Sequence, residues 1–273
     1  MRLAVRCLVL LQLALATPVQ SETLVIPGAG PPELPLRNLA AAYQKIHPGA
    51  DLQVPPSTGI AGGIRAIQNG ESVLARIARR LTSEEEKSGL SQVVYAADAV
   101  VFAIGANVAI ESLSQQQLAE IFSGKHDNWR QVGGPPGQIR VLVREQTEIA
   151  HATIRRHLPA FSGLRYAEHA KLANADFEMV ELLDRYKSAI GWLTRSSLPG
   201  AKSGIRALAV DGIAPSPENV QSGRYRMVVD HVLIFRPQQL TAGAKRFIEF
   251  VRSDAGSGIL RQSGVIPVDG RRP

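Results

Sequence analysis

Two short stretches of this 273-residue chain set hydroxyls, glycines and an arginine where a helix can begin. The first is Pro55-Pro56-Ser57-Thr58-Gly59, followed by the apolar series Ile60, Ile64 and Ile67. The second is Arg144-Glu145-Gln146-Thr147-Glu148, which follows the apolar run Ile139–Val143. A helix N-terminus presents unpaired N–H groups and the positive end of the helix dipole, a combination that holds small anions. Ser57 or Thr58 can cap the first helix and Thr147 the second. Glycines 59, 62 and 63 let a ligand approach the backbone closely. The same spacing also serves an ordinary strand-to-helix turn, the commoner use of such a stretch, so position alone does not separate the two.

Other chemistries find less support. The six histidines (47, 126, 151, 157, 169 and 231) show no His-x-x-x-His spacing, and His151 and His157, six apart, face different sides of a helix. There is no Gly-x-Ser-x-Gly elbow and no Gly-x-x-x-x-Gly-Lys-[Ser/Thr] loop. The stretch Gly28-Ala29-Gly30-Pro31-Pro32-Glu33 lacks the third glycine of a dinucleotide loop, and two prolines stand where a helix should open. No catalytic residue, metal or cofactor is therefore expected. The net charge of +7 is modest, and basic residues such as Arg76, Arg79, Arg80, Arg155 and Arg156, with Arg271 and Arg272, are scattered without aromatic interleaving. Most of them read as solvated surface, and nucleic acid is not an expected partner.

The elements that must position these residues follow from periodicity. Arg2 and Arg6 precede a Leu/Val/Ala run from Leu8 to Ala16, with Thr17-Pro18 behind it. That is the pattern of a cleavable signal over residues 1–16, too short to span a bilayer, and it predicts an exported, periplasmic product. The single cysteine, Cys7, falls inside it, so the mature chain is expected to carry no thiol or disulfide. Its loss with Arg2 and Arg6 leaves 29 basic against 24 acidic residues, a net charge of +5. Strand-like runs are predicted at Thr23–Ile26, Leu52–Val54, Ala99–Ile104, Ile139–Val143, Ala189–Leu193, Ile205–Val210 and Val228–Phe235. Helical spacing recurs at Leu36–Ile46, Ile60–Gln68, Ser114–Phe122, Ile149–Leu158, Phe177–Tyr186, Ala242–Arg252 and Ser257–Gln262. Alternation of this kind implies an α/β protein with mainly parallel sheets.

One long segment is more specific. Leu113 to Gly134, LSQQQLAEIFSGKHDNWRQVGG, carries a short helix ending in Ile-Phe-x-Gly, then Asn-Trp, then Val-Gly-Gly. Flanked in order by STGIAGGIRAI, DAVVFAIGAN, QIRVLVRE, SAIGWLT, LAVDGIAPSPENVQSGRY and KRFIEFVRSDAGSGILRQSGVIPV, it resembles the substrate-binding proteins of phosphate ABC transporters over essentially the whole mature chain. Physically the segment is structural: Gly124 can end its helix in a left-handed conformation, and Phe122, Trp129 and, elsewhere, Trp192 read as core. The resemblance implies a two-lobed periplasmic-binding-protein-like fold of type 2 with two hinge crossovers. Lobe one would comprise residues 21–101 plus 232–273 and lobe two residues 102–231, with hinge strands at Ala99–Ile104 and Val229–Phe235. It also implies a monomer that hands its solute to an ABC permease or reports it to an envelope sensor.

Carried over residue by residue, the resemblance places the ligand among Ser57, Thr58, Gly59, Arg144, Thr147 and Gly30. Much of the expected cradle is missing. The first loop has no hydroxyl, three prolines lack N–H donors, and Glu33 would repel an anion. The polar positions of the next strand are Val73 and Ala78, and Glu148-Ile149-Ala150 replaces a Ser-Gly-Thr. Glu148 can then satisfy the helix dipole from within the protein. Arg144, Arg76 or Arg79 can compensate for the missing contacts by holding the solute in a different pose, and Arg144 can equally pair with Glu145 or Glu148 as a surface ion pair. Losing three charge-assisted hydrogen bonds, at about 1.5–3 kcal/mol each, would weaken anion binding by roughly three to six decades. The sequence thus points to a periplasmic binder of phosphate or another small solute, or to a ligand-free interaction or sensory module on the same fold.

Overall fold

The computed structural model describes residues 23–198 and 204–268. The expected signal and Arg271 and Arg272 lie outside them. Strand β1 (Thr23–Val25) leads through a proline-rich loop into helix α1 (Glu33–Ile46), and β2 (Asp51–Gln53) leads into α2 (Gly59–Gln68). Next come β3 (Ala75–Ile77), the short α3 (Ser83–Lys87) and the 14-residue β4 (Ser91–Ile104). The middle of the chain holds β5 (Ser112–Leu113), α4 (Gln115–Phe122), β6 (Arg140–Val143), α5 (Ile149–His157), β7 (Lys171–Leu172), α6 (Asp176–Arg185) and β8 (Ala189–Thr194). Strands β9 (Arg206–Ala207) and β10 (Ala209–Val210) and helix α7 (Pro217–Gln221) precede the long β11 (Val228–Phe235). Helices α8 (Ala242–Arg252) and α9 (Asp254–Gln262) and strand β12 (Ile266–Pro267) complete the described chain.

Local chemistry explains where these helices lie. Helix α1 buries Leu36, Leu39, Ala40 and Tyr43, and α8 buries Ala244, Phe247, Ile248 and Val251, each set on one face. Ser114 and Gln117 close a capping box at the start of α4, and Gly124, at φ +81°, follows its end in the left-handed region that favours glycine.

The main sheet runs β3-β11-β4-β8-β6-β7. Among the described strands, parallel pairing joins β6 with β7 and β8, β1 with β2 and β5 with β10, beside an isolated parallel bridge between Gly28 and Arg76. Every pairing of β4 and β11 is antiparallel, so the expected mainly parallel sheet is not what forms. The reason is topological: β4 carries the chain out of the first core and β11 carries it back, and two such crossings lying side by side must run in opposite directions.

Each crossing strand feeds two separate cores. Ala99–Ile104 of β4 and Val229 of β11 belong to a core built around Phe102, Phe122, Phe161 and Trp192. Tyr95 and Ala96 of β4 and Leu233 of β11 belong to another, around Leu36, Tyr43 and Phe247. A smaller cluster of Ile67, Ile77 and Val232 packs α2 against the sheet. Trp129, Trp192 and Phe122 are all buried, and Trp129 donates from its indole to the Ser188 carbonyl at 2.9 Å.

Candidate functional site

The first wall of the cleft is built on an arginine. Arg76, in the middle of β3, is fully buried, not the solvated surface residue its charge suggests. Its guanidinium donates to the carbonyls of Ala29 (2.8 Å), Pro55 (2.7 Å) and Ile26, and lies 3.4 Å from the Glu33 carboxylate. It thereby stitches the loop after β1 to the loop after β2. Burial pulls its pKa down, and Glu33 partly offsets the cost. Gly28 makes this contact possible: a Cβ there would lie 1.9 Å from the Arg76 carbonyl oxygen, and its φ of +136° also favours glycine. Glu33 completes the arrangement at the first turn of α1 by pairing with Arg37 at 2.9 Å.

At the start of α2 neither expected cap forms in the expected way. Thr58 occupies the cap position without a side-chain bond to the helix, and its side chain stands over Gly62. Ser57 Oγ instead accepts from the Gly59 N–H at 3.2 Å. Gly59 takes φ +74°, which bends the chain into the helix. Farther along this wall, Arg79 makes a two-pronged pair with Glu85, both contacts at 2.8 Å, and holds that carboxyl down to about 2.

The second wall is equally self-satisfied. Glu148, not Thr147, caps α5, its carboxylate accepting from the N–H groups of Ala150 (2.8 Å) and His151 (3.1 Å). Burial raises its pKa, with Arg144 and these hydrogen bonds pulling the other way. Arg144 pairs with neither Glu145 nor Glu148. It bonds Asp176, at the first turn of α6, and the Asn174 carbonyl at 3.3 Å. Its Nε is buried without a partner among the described residues. Asp176 also accepts from the main-chain N–H (3.1 Å) and hydroxyl (2.7 Å) of Thr194 and from Ser197 (3.0 Å). It is thus a hub that the sequence reading did not single out. The available signal was an acidic residue immediately before a predicted helix.

Between these walls lies a cleft of about 1500 Å³. Gly30, Ser57, Gly59, Arg144 and Thr147 all line it, whereas Thr58 does not. Its charged lining comprises four arginines (37, 65, 79 and 144) and five carboxylates (33, 85, 145, 148 and 176). Leu34 and Phe177, half and mostly exposed, also face it, as do Ile60, Ile64 and Ile149. No group of three or more His, Cys, Asp or Glu side chains among the described residues is arranged to hold a metal ion.

The sequence profile of the PBP superfamily domain matches residues 16–255. Over 239 residues, 85% of each chain, the protein is 23% identical to the phosphate-binding protein PstS of Borreliella burgdorferi. Over 255 residues it is 26% identical to PstS of Bacillus subtilis, covering 91% of this chain and 81% of the relative. Among solved structures, a putative phosphate ABC transporter substrate-binding protein with bound phosphate from Clostridium perfringens superposes with a TM-score of 0.79 at 24% identity, over 91% of this chain and all of that one. An ABC-type phosphate transport receptor from Vibrio cholerae gives a TM-score of 0.67 at 22% identity, covering 89% and 99%. With its two cores joined by paired crossing strands and its profile match extending over most of its length, the chain belongs to the PBP superfamily.

Proposed function

We propose that this chain is a solute-binding protein of the cell envelope, of the kind that serves phosphate ABC transporters, and that it holds a small solute between its lobes. One observation carries the reading: the first turns of α1 and α2 on one wall and of α5 and α6 on the other converge on a single cleft. Helices aimed in this way from two separate cores suit a ligand that is enclosed as the lobes close. Relatives named as phosphate-binding proteins support the same reading. In it, residues 21–101 plus 232–273 form lobe one and 102–231 lobe two. Gly30, Ser57, Thr58 and Gly59 would approach the solute from the first lobe and Arg144 and Thr147 from the second. The product acts in the periplasm as a monomer after signal cleavage, delivers its solute to a permease or sensor, and is not a catalyst.

Isothermal titration with phosphate, sulfate and a metabolite panel tests this, with small-angle scattering to follow closure. Binding heat with a smaller radius of gyration is expected for at least one solute. A second reading draws on the polar groups that satisfy one another within the cleft: a ligand-free module that docks on an envelope protein. Absence of heat from every solute, with specific capture of an envelope protein, would sink the first reading in favour of the second.

A further inference from the structure

We propose that the solute of this cleft is a zwitterionic organic molecule with an apolar body, of the amino-acid or short-peptide class, rather than an inorganic oxyanion. The inference rests on the solute-binding reading and narrows it.

Most of the groups that would grip an oxyanion are committed elsewhere, the uncapped first turns of α2 and α6 and the Arg65 guanidinium excepted. Arg79 is held by Glu85, Arg144 by Asp176 and the Asn174 carbonyl, and Arg37 by Glu33 and the Val54 carbonyl. The leading N–H groups of α5 are taken by Glu148. Four arginines against five carboxylates leave no positive field to draw in or neutralise a dianion.

What the cleft offers instead is apolar surface from both sides. Leu34 is 49% exposed at the first turn of α1, and Phe177 is 71% exposed at the first turn of α6. Of the five large apolar side chains exposed among the described residues, these two face the cleft, one from each wall. Ile60 and Ile64 extend the strip on α2, and Ile149 extends it on α5. Together these side chains make an apolar surface on both walls that a ligand between them can cover.

The charged side chains of the lining that form no ion pair among the described residues are of opposite sign on opposite walls. On α2, the N–H groups of Ile60 and Ala61 and the exposed guanidinium of Arg65 have no partner among the described residues. On the other wall, Glu145 is exposed and forms no ion pair among the described residues. A carboxylate on α2, an ammonium at Glu145 and an apolar body between Leu34 and Phe177 complement this arrangement while adding no net charge.

The test titrates the signal-free chain, stripped by unfolding and refolding, with phenylalanine, the dipeptide Leu-Phe and inorganic phosphate. Small molecules released from natively purified protein are identified by mass spectrometry. We expect heat from a zwitterion and none from phosphate, and a loss of roughly tenfold or more in affinity for each of Leu34→Ser and Phe177→Ser. Both residues are exposed, so the unfolding midpoints of these variants should match the parent. Binding of phosphate alone, release of an inorganic or multiply charged anion, or zwitterion binding that neither variant weakens would overturn the proposed class and leave the solute-binding reading standing. No heat from any probe together with no released molecule would sink that reading itself.

Discussion

Arg76 shows how far a single residue can depart from what its type suggests. Nothing near it in sequence explains its burial, because its partners at Ile26, Ala29, Glu33 and Pro55 lie 21 to 50 positions away and are mostly main-chain carbonyls. Replacing it with methionine preserves bulk but strands three carbonyls and the inner face of Glu33. Arg76→Met should therefore cost about 3–5 kcal/mol in urea unfolding, and a loss below about 1 kcal/mol would show that the carbonyls find other donors. Glu148 is the opposite case, since its place ahead of Ile149 and Ala150 already suggested a self-satisfied helix end, and its carboxylate does cap α5. Glu148→Ala should cost about 1 kcal/mol of stability. By freeing the Ala150 and His151 N–H groups it should also strengthen sulfate binding by roughly tenfold. An unchanged sulfate isotherm would mean that something besides Glu148 closes this helix end. Helix-start residue types thus supplied the cleft positions Ser57, Gly59, Arg144 and Thr147, together with Thr58, which does not line the cleft, and the family resemblance supplied Gly30, whereas the partner of Arg144 required knowing that α6 begins beside it.

Among the elements, β11 was legible end to end because Val228–Phe235 is an almost unbroken apolar run. Only the second half of β4 was, because in Ser91–Asp98 the three strand formers Val93, Val94 and Tyr95 are flanked by polar residues and by two alanines of low strand propensity. That unforeseen half carries a buried titratable group of the crossing. Asp98, fully buried, accepts from the main-chain N–H and hydroxyl of Ser196 and lies 3.6 Å from His231 on β11, beside a break in pairing register between His231 and Val232. Burial pushes Asp98 up to about 7, aided by Asp176 and opposed by Ser196 and Arg195, and burial pulls His231 down to about 3. Between pH of about 4 and 6.5 the unfolded chain carries ionised Asp98 and protonated His231, while the folded chain carries both neutral. Asp98 takes up the proton that His231 gives up, so the pair adds no pH slope to stability there. In Asp98→Asn only the histidine remains. Its depressed folded pKa means stability present above the unfolded value and lost as pH falls, so the variant should gain stability with rising pH relative to the parent, by up to about 1.4 kcal/mol per unit. Urea titrations at half-unit steps from pH 4 to 6.5 check this, and parallel curves for parent and variant would refute the neutral pair.

At the scale of the molecule, the paired β4 and β11 are the mechanical link between two cores, and a chain of hydroxyls runs from that link to the cleft: Ser196 bonds Asp98, and Thr194 and Ser197 bond Asp176, which holds Arg144. The alternation of elements could foretell two α/β units but not this wiring, which depends on how the turn after β8 packs against the crossing strands. The charges nevertheless do little to set how far apart the lobes stand. The ion pairs lining the cleft, Arg37 with Glu33, Arg79 with Glu85 and Arg144 with Asp176, each close within one wall. Arg80 with Asp230, which reaches β11, is exposed at 44% and 31% and contributes little. Salt should therefore leave the opening of the ligand-free protein almost unchanged, because most charges that could act across the gap are paired on the same side and the two that are not, Arg65 and Glu145, are exposed to solvent. Nitroxide labels at Glu84→Cys on α3 and Glu181→Cys on α6, both exposed, in a chain with Cys7→Ser, would report the distance between walls. The distribution should be the same in dilute buffer and in molar sodium chloride. A shift toward shorter distances in high salt would reveal repulsion between the walls, and a shift toward longer ones an attraction. Either would place electrostatics, rather than the apolar surfaces of Leu34 and Phe177, in control of closure.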